Sequence, residues 1–178
     1  MQSGCVQVYY GDGKGKTTAA MGQALRAVGH GMKVLIYQFL KEPTSGEIVV
    51  LRTLPGVTYI ENEGKIPFLF NLTEEQTQYY RDLWHKKFDK VCEEIASEKY
   101  DLVVLDEVID AMNLGIIDKS ELYTLMETKP ESTELVLTGH QYGEPLDELF
   151  ARADYVTKCV KEKHPFDRGQ MARVGIEK

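Results

Sequence analysis

The sequence predicts a three-layer α/β fold, with a mostly parallel sheet of about six strands in a single domain spanning residues 1–178. Three observations predict it. A glycine-rich turn, Gly11-Asp12-Gly13-Lys14-Gly15-Lys16-Thr17-Thr18, joins an apolar run (Cys5 to Tyr10) to a segment of small, helix-favouring residues. Apolar runs and helical patterns alternate along the rest of the chain, as parallel strands joined by crossover helices do. The run Asp101-Leu102-Val103-Val104-Leu105 is apolar without alternation, as a strand covered on both faces requires, and it ends in Asp106-Glu107.

After the first strand, a helix is expected from Lys16 to about Val28. Its Ala19, Ala20, Gly22, Ala24 and Ala27 let it lie close on a sheet, and Gly29 and Gly31 are stop signals. Lys33 to Phe39 reads as the second strand, Glu47 to Leu54 as a short helix, Pro55-Gly56 as a turn and Val57 to Ile60 as the third strand. Gly64 to Leu72 is aromatic but aperiodic, and Pro67 argues against a central strand there. It reads as a loop whose Phe68 and Phe70 either face a ligand or fold back on the core.

Thr73-x-x-Gln76 is a capping box that opens the longest helix. Tyr80, Leu83, Trp84, Phe88, Val91, Cys92 and Ile95 recur on one face of it as a core stripe, which leaves His85 off the stripe and solvated. The fourth strand, Asp101 to Leu105, precedes a helix from Val108 to Leu114 that stops at Gly115. Asp118-x-x-Glu121 starts a helix to about Glu127, Glu134 to Thr138 is the fifth strand, Pro145 to Ala153 a short helix and Tyr155 to Val160 the sixth strand. The tail has no regular pattern. This order is that of a phosphate-loop (RecA-like) fold, whose ligands gather at the carboxyl ends of the strands: Gly11–Thr17, Gln38–Lys41, Asp106–Glu107 and Thr138–His140.

Composition narrows the function. A formal net charge of −7 argues against a sequence-independent nucleic-acid surface. No apolar run approaches the ~20 residues of a membrane span, and the start has no signal-peptide pattern. Three cysteines (Cys5, Cys92 and Cys159) without a C-x-x-C pair read as reduced thiols, so a soluble cytoplasmic protein is expected.

The glycine-rich turn carries the chemistry. Glycines let successive backbone N–H groups turn onto an anion, and the helix that follows adds its own free N–H donors. Lys16 supplies a mobile point charge for phosphates, and Thr17 a hydroxyl for Mg²⁺. The usual spacing needs glycine at position 10; this chain has Tyr10 and reads G-x-x-x-G-K-T from Gly11, one residue shorter, which suits a changed phosphate register. Asp106-Glu107 matches a Walker B strand end that reaches the metal, although either residue could instead cap the next helix.

In the order of its motifs the chain resembles the ATP:corrinoid adenosyltransferases of the phosphate-loop type. The resemblance rests on Gly11 to Ala20, Gln38-Phe39-Leu40-Lys41, Gly46-Glu47, Leu102 to Glu107, Leu137-Thr138-Gly139 and Ala153-Asp154. It continues through Lys163-His164-Pro165-Phe166-Asp167-Arg168-Gly169-Gln170-Met171-Ala172 to Gly175-Ile176-Glu177. It implies transfer of the 5′-deoxyadenosyl group of ATP to the cobalt of a reduced corrinoid, with release of triphosphate. ATP would lie reversed, its terminal phosphate deep in the loop.

The resemblance assigns Gly11, Asp12, Gly13, Lys14, Gly15, Lys16, Thr17, Thr18, Gln38 and Lys41 to ATP, with His140 standing at a family arginine's place in the same site; Phe68 and Phe70, in the aperiodic aromatic segment, are the candidates for the corrinoid. Thr17, Asp106 and Glu107 would hold Mg²⁺ (or Mn²⁺), with Lys16 and Glu107 as catalytic residues. It also implies an electron-donating flavoprotein partner and a homodimer. Two departures stand out: members usually carry Thr-Gly-Arg where this chain has Thr138-Gly139-His140, and Phe-Thr-Trp in the aromatic loop. Competing readings are another phosphate-loop ATPase or small-molecule kinase, and a non-catalytic paralogue that binds nucleotide or corrinoid.

Overall fold

A computed structural model describes residues 3–62, 73–97, 99–143 and 145–177. In chain order these form β1 (Val6–Tyr10), α1 (Lys16–Gly29), β2 (Val34–Gln38), α2 (Gly46–Leu51), β3 (Val57–Ile60), α3 (Glu74–Ala96) and β4 (Leu102–Asp106). There follow α4 (Val108–Asn113), α5 (Lys119–Thr128), β5 (Glu134–Gly139), α6 (Asp147–Phe150), β6 (Tyr155–Lys158) and a 3-10 turn over Pro165–Arg168. The strands make one six-stranded sheet in the order β3-β2-β4-β5-β1-β6. Every pairing is parallel.

Alternate residues of each central strand enter different layers, which is why those strands read as unbroken apolar runs. Leu35, Tyr37, Val103, Leu105, Leu135 and Leu137 pack with Trp84, Phe88, Val91 and Ile95 of α3 and with α4 and α5. Val34, Ile36, Leu102, Val104 and Val136 pack on the other face against Ala20, Met21, Ala24 and Ala27 of α1 and against α2. Each such side chain contributes roughly 1.5–3 kcal/mol by leaving water. Ala20, Ala24 and Ala27 of α1 face the sheet as expected, whereas Ala19 and Gly22 are exposed.

The capping box at the start of α3 is formed in both directions: Gln76 N–H donates to Thr73 Oγ1 (3.2 Å), and Thr73 N–H donates to Gln76 Oε1 (3.0 Å). Trp84, Phe88, Val91 and Ile95 of the expected stripe are buried, whereas Leu83 and Cys92 are only half-buried. His85 is not merely solvated. Its Nε2 lies 3.0 Å from Glu121 Oε1 on α5, because the two helices pack side by side and bring a carboxylate to it.

The last elements are shorter than expected. The helix predicted from Pro145 to Ala153 is a single turn, and β6 stops at Lys158. Cys159 N–H still donates to Tyr10 O (2.7 Å), but the chain then leaves the sheet to pass over the glycine-rich turn. Asp154, one of the family-like positions, secures this edge by accepting from Val6 N–H at 2.7 Å. Among the described residues, no helix is long and apolar enough to cross a membrane.

Candidate active site

Parallel registry brings the carboxyl ends of β1, β2, β4 and β5 to one rim: Tyr10 stands beside Gly139, and Gln38 beside Asp106. There a cavity of about 390 Å³ is lined by the loop from Asp12 to Thr18, by Lys41, Glu107 and His140, and by the tail from His164 to Glu177. Two of the rim residues, Leu40 (φ 56°) and Glu107 (φ 60°), hold left-handed backbone without being glycine. Such conformations cost roughly 1–3 kcal/mol each and persist where the surroundings enforce them.

The surroundings of Leu40 are identifiable. Asn62 Nδ2 donates to the carbonyls of Gln38 (2.7 Å) and Lys41 (2.9 Å), and Tyr37 Oη orients that amide by donating to Asn62 Oδ1 (2.8 Å). The turn is thereby clamped and returns Lys41 to the rim. Glu107 is held by its own N–H, which donates to Thr138 Oγ1 at 2.8 Å. Neither acid caps α4 through its side chain, so the capping alternative for Asp106-Glu107 falls away.

Asp106 is the centre of the site. It is fully buried, and four groups converge on its carboxylate. Thr17 Oγ1 (2.9 Å) and Thr138 Oγ1 (2.7 Å) donate to one oxygen; Gln38 Nε2 (2.9 Å) and Lys41 Nζ (2.7 Å) donate to the other. Gln38 therefore sits behind Asp106 and fixes it. The Lys41 ammonium is also 2.8 Å from Thr17 Oγ1 and 3.1 Å from Glu107 Oε1. A cation thus already occupies the point where Thr17, Asp106 and Glu107 converge, and hard oxygens of this kind suit Mg²⁺ or Mn²⁺.

Lys16 is buried against its own loop. Its Nζ donates to Gly11 O (2.8 Å) and Gly13 O (3.0 Å) and lies 3.3 Å from His140 Nε2. The glycines that shape this loop have different reasons to be glycine. A Cβ on Gly11 would stand 2.4 Å from Cys159 O, and one on Gly13 2.7 Å from Val160 C, so both are dictated by the chain crossing after β6. Gly15 has open space but φ 115°, so its requirement is conformational. Asp12, Lys14 and Thr18 are exposed on the loop, Asp12 accepting from Lys161 N–H at 3.2 Å.

Sequence reasoning missed Asp110, the one acid in the otherwise uncharged α4. Its Oδ2 accepts from His140 N–H (2.9 Å), and its Oδ1 lies 3.0 Å from His140 Nδ1. Burial opposes its ionisation, but hydrogen bonds from His140 and Glu107 outweigh that and hold its carboxyl below the usual range. Glu107 moves the other way, to about 7, through burial first, then its hydrogen bond to Asp110 and the neighbouring acids, against the pull of Lys41. The lone acid among Val108, Ile109, Ala111 and Met112 was the available signal. Phe68 and Phe70, expected on the corrinoid side, lie outside the described residues.

Residues 2–177 match the family described as ATP:corrinoid adenosyltransferase BtuR/CobO/CobP. The chain belongs to this family. A corrinoid adenosyltransferase from Sinorhizobium sp is 35% identical over 183 residues, which cover 99% of this chain and 81% of that relative. The corrinoid adenosyltransferase of Escherichia coli (strain K12) is 32% identical over 188 residues, covering 99% and 86%. Corrinoid adenosyltransferase CobA of Salmonella typhimurium (strain LT2) is 31% identical, with the same coverage. Family membership extends through the tail, whose His164–Gly169 segment folds as a turn beside the loop, His164 Nδ1 accepting from Phe166 N–H at 3.2 Å.

Proposed function

We propose that this protein transfers the 5′-deoxyadenosyl group of ATP to the cobalt of a reduced corrinoid, releasing triphosphate. The observation that carries this reading is the lining of the loop cavity within an ATP:corrinoid adenosyltransferase chain. It offers cations and backbone donors for a polyphosphate, but among its described lining residues neither cysteine nor serine. A site so built stabilises a leaving group and leaves the nucleophile to the substrate. Reduced Co(I) is such a nucleophile: the Co–C5′ bond forms as the C5′–O bond breaks, and the electron pair departs on triphosphate.

The loop N–H groups from Lys14 to Thr18 and the start of α1 would receive the phosphates, with Lys16 as their nearest buried charge. Thr17, Asp106 and Glu107 would hold Mg²⁺ or Mn²⁺, which when bound neutralises charge on the triphosphate. Lys41 would then leave those oxygens and become a second ammonium for the leaving group. Gln38 and Thr138 keep the Asp106 carboxylate aimed by occupying one position on each oxygen. His140 enters from the end of β5 and completes the polar wall around Lys16.

The same reading includes an electron-donating flavoprotein that reduces the corrinoid, a cytoplasmic setting and a homodimer. Phe68 and Phe70 would face the corrinoid. Its support for small-molecule rather than nucleic-acid partners is the net charge of −7. The test is anaerobic incubation with ATP, Mg²⁺ and cob(I)alamin, followed by absorption spectroscopy. A light-sensitive alkylcobalamin spectrum is expected; persistence of the cob(I)alamin spectrum in the presence of bound ATP would overturn the proposal.

A further inference from the structure

The loop lysine has three protons, and three acceptors surround it. Two are carbonyls of its own loop, at Gly11 and Gly13; the third is His140 Nε2, brought from the far end of β5. An ammonium can only donate, so Nε2 must present its lone pair, and the ring proton must then reside on Nδ1. Everything on the other side of the ring enforces that tautomer. Nδ1 is 3.0 Å from Asp110 Oδ1, and Asp110 Oδ2 accepts from the backbone N–H of the same histidine at 2.9 Å.

That seat exists only because residue 139 is glycine: a Cβ there would lie 2.5 Å from Asp110 Oδ2, and its φ is +154°. Asn113 Nδ2 holds the His140 carbonyl at 3.0 Å, and the Tyr142 ring stacks on the imidazole with 5.3 Å between centroids. Glu107 Oε2 lies on the same side, 3.7 Å from Nδ1. The ring is thereby fixed in position and in tautomer, with one nitrogen left for Lys16.

Resting on the functional reading above and deepening it, we propose that His140 and Asp110 are positioning residues for Lys16. Asp110 sets the Nδ1–H tautomer of His140, and His140 Nε2 completes the coordination of the ammonium over the loop before triphosphate arrives. Lys16 is then already held over the loop when the phosphates bind, and only one of its three N–H bonds has to pass to a phosphate oxygen. Asp110 has no contact of its own with Lys16 among the bonds described above and reaches it through His140; its other carboxyl neighbour is Glu107.

The test reads the tautomer and the phosphate site separately, with no corrinoid present. Nitrogen-15 NMR of the imidazoles, with His140→Ala assigning the signals, should show His140 protonated on Nδ1 in the ligand-free protein. Asp110→Asn cannot accept from both the backbone N–H and Nδ1–H, so its amide NH₂ should face Nδ1 and move the ring proton to Nε2. Calorimetry with tripolyphosphate and Mg²⁺ should then give a Kd raised about tenfold or more for Asp110→Asn and for His140→Ala. The double variant should bind no more weakly than His140→Ala alone.

An Nε2–H tautomer in the unsubstituted protein, unchanged tripolyphosphate affinity in His140→Ala, or additive losses in the double variant would each overturn the proposal. If Asp110→Asn does not fold, the wild-type tautomer and the His140→Ala Kd decide it by themselves. A protein with the predicted tautomer that binds tripolyphosphate but forms no alkylcobalamin would instead sink the functional reading and leave this one standing.

Discussion

His140 and His85 each lie against carboxylates, yet their surroundings differ in one respect that separates a working site from a surface contact. At His85 both ring nitrogens face acceptors: Nε2 is 3.0 Å from Glu121 Oε1 and Nδ1 is 3.5 Å from Asp89 Oδ2. At His140 one nitrogen faces Asp110 and the other faces the Lys16 ammonium, a donor. The cavities beside them are nearly equal, about 380 Å³ between α3 and α5 and about 390 Å³ at the loop. Volume therefore distinguishes nothing. What marks the loop cavity is convergence: a buried ammonium, a fully buried carboxylate with four donors, and two non-glycine residues in left-handed backbone.

The sharpest way to break that contrast is substitution of the charges themselves. Lys16→Ala should lower kcat/KM for ATP by about a thousandfold while leaving the circular dichroism spectrum unchanged. His85→Ala should keep turnover within about twofold, because its partners among the described residues are on α3 and α5. Steady-state kinetics on the pair checks both, and equal losses would mean that the loop cavity is not the site.

Asp106→Asn should cost about 3 kcal/mol in urea unfolding and also abolish any stabilisation by Mg²⁺. An amide in that place turns its NH₂ toward groups that are themselves donors. A variant of normal stability that still responds to Mg²⁺ would show that the four contacts are incidental.

The glycines offer a contrast within the loop. Gly11→Ala and Gly15→Ala impose the same left-handed strain, φ 114° and 115°, but only the first meets backbone, Cys159 O at 2.4 Å. Gly15→Ala should cost about 1 kcal/mol and Gly11→Ala clearly more, read from chemical denaturation. Equal costs would remove the chain crossing after β6 from the explanation.

What could be read before folding was what lies close in sequence. The strand, loop and helix from Val6 to Gly29, the α3 capping box and the acids at the end of β4 all announce themselves through local spacing. Asp110 and Asn62 do not. Each is an ordinary polar residue until the sheet order places β5 beside β4 and folds the turn after β2 onto the segment after β3. The reasons for Gly11 and Gly13 were hidden for the same cause, since the backbone they accommodate is about 150 residues away, at Cys159 and Val160. His85 lies off the core stripe and partly in solvent as expected, but its contact with Glu121 was not legible because that residue comes from another helix.

A pH series sharpens the electrostatic half of the comparison. Glu107 is raised from 4.5 to about 7 in the folded protein, chiefly by burial. A group raised on folding gives its full stabilisation below its unfolded value and loses it as pH rises through the folded one. Stability of the metal-free protein should thus fall between pH 4.5 and about 7, and Glu107→Gln should flatten that fall. An unaltered profile in the variant would relocate the effect to another group.

The smallest effect belongs to the surface histidine. His85→Gln should lower stability by less than about 1 kcal/mol, and the difference should shrink in 1 M salt as the pairs to Asp89 and Glu121 are screened. A loss that is larger and indifferent to salt would make the α3–α5 contact a packing element instead.

In the proposed reaction the loop and the β4 acids serve a triphosphate leaving group rather than a transferred phosphoryl group. Phosphorus NMR of the products formed from ATP and cob(I)alamin tests that most directly. One triphosphate per corrinoid adenosylated and no ADP is the expected result; ADP and inorganic phosphate as the products would contradict that assignment.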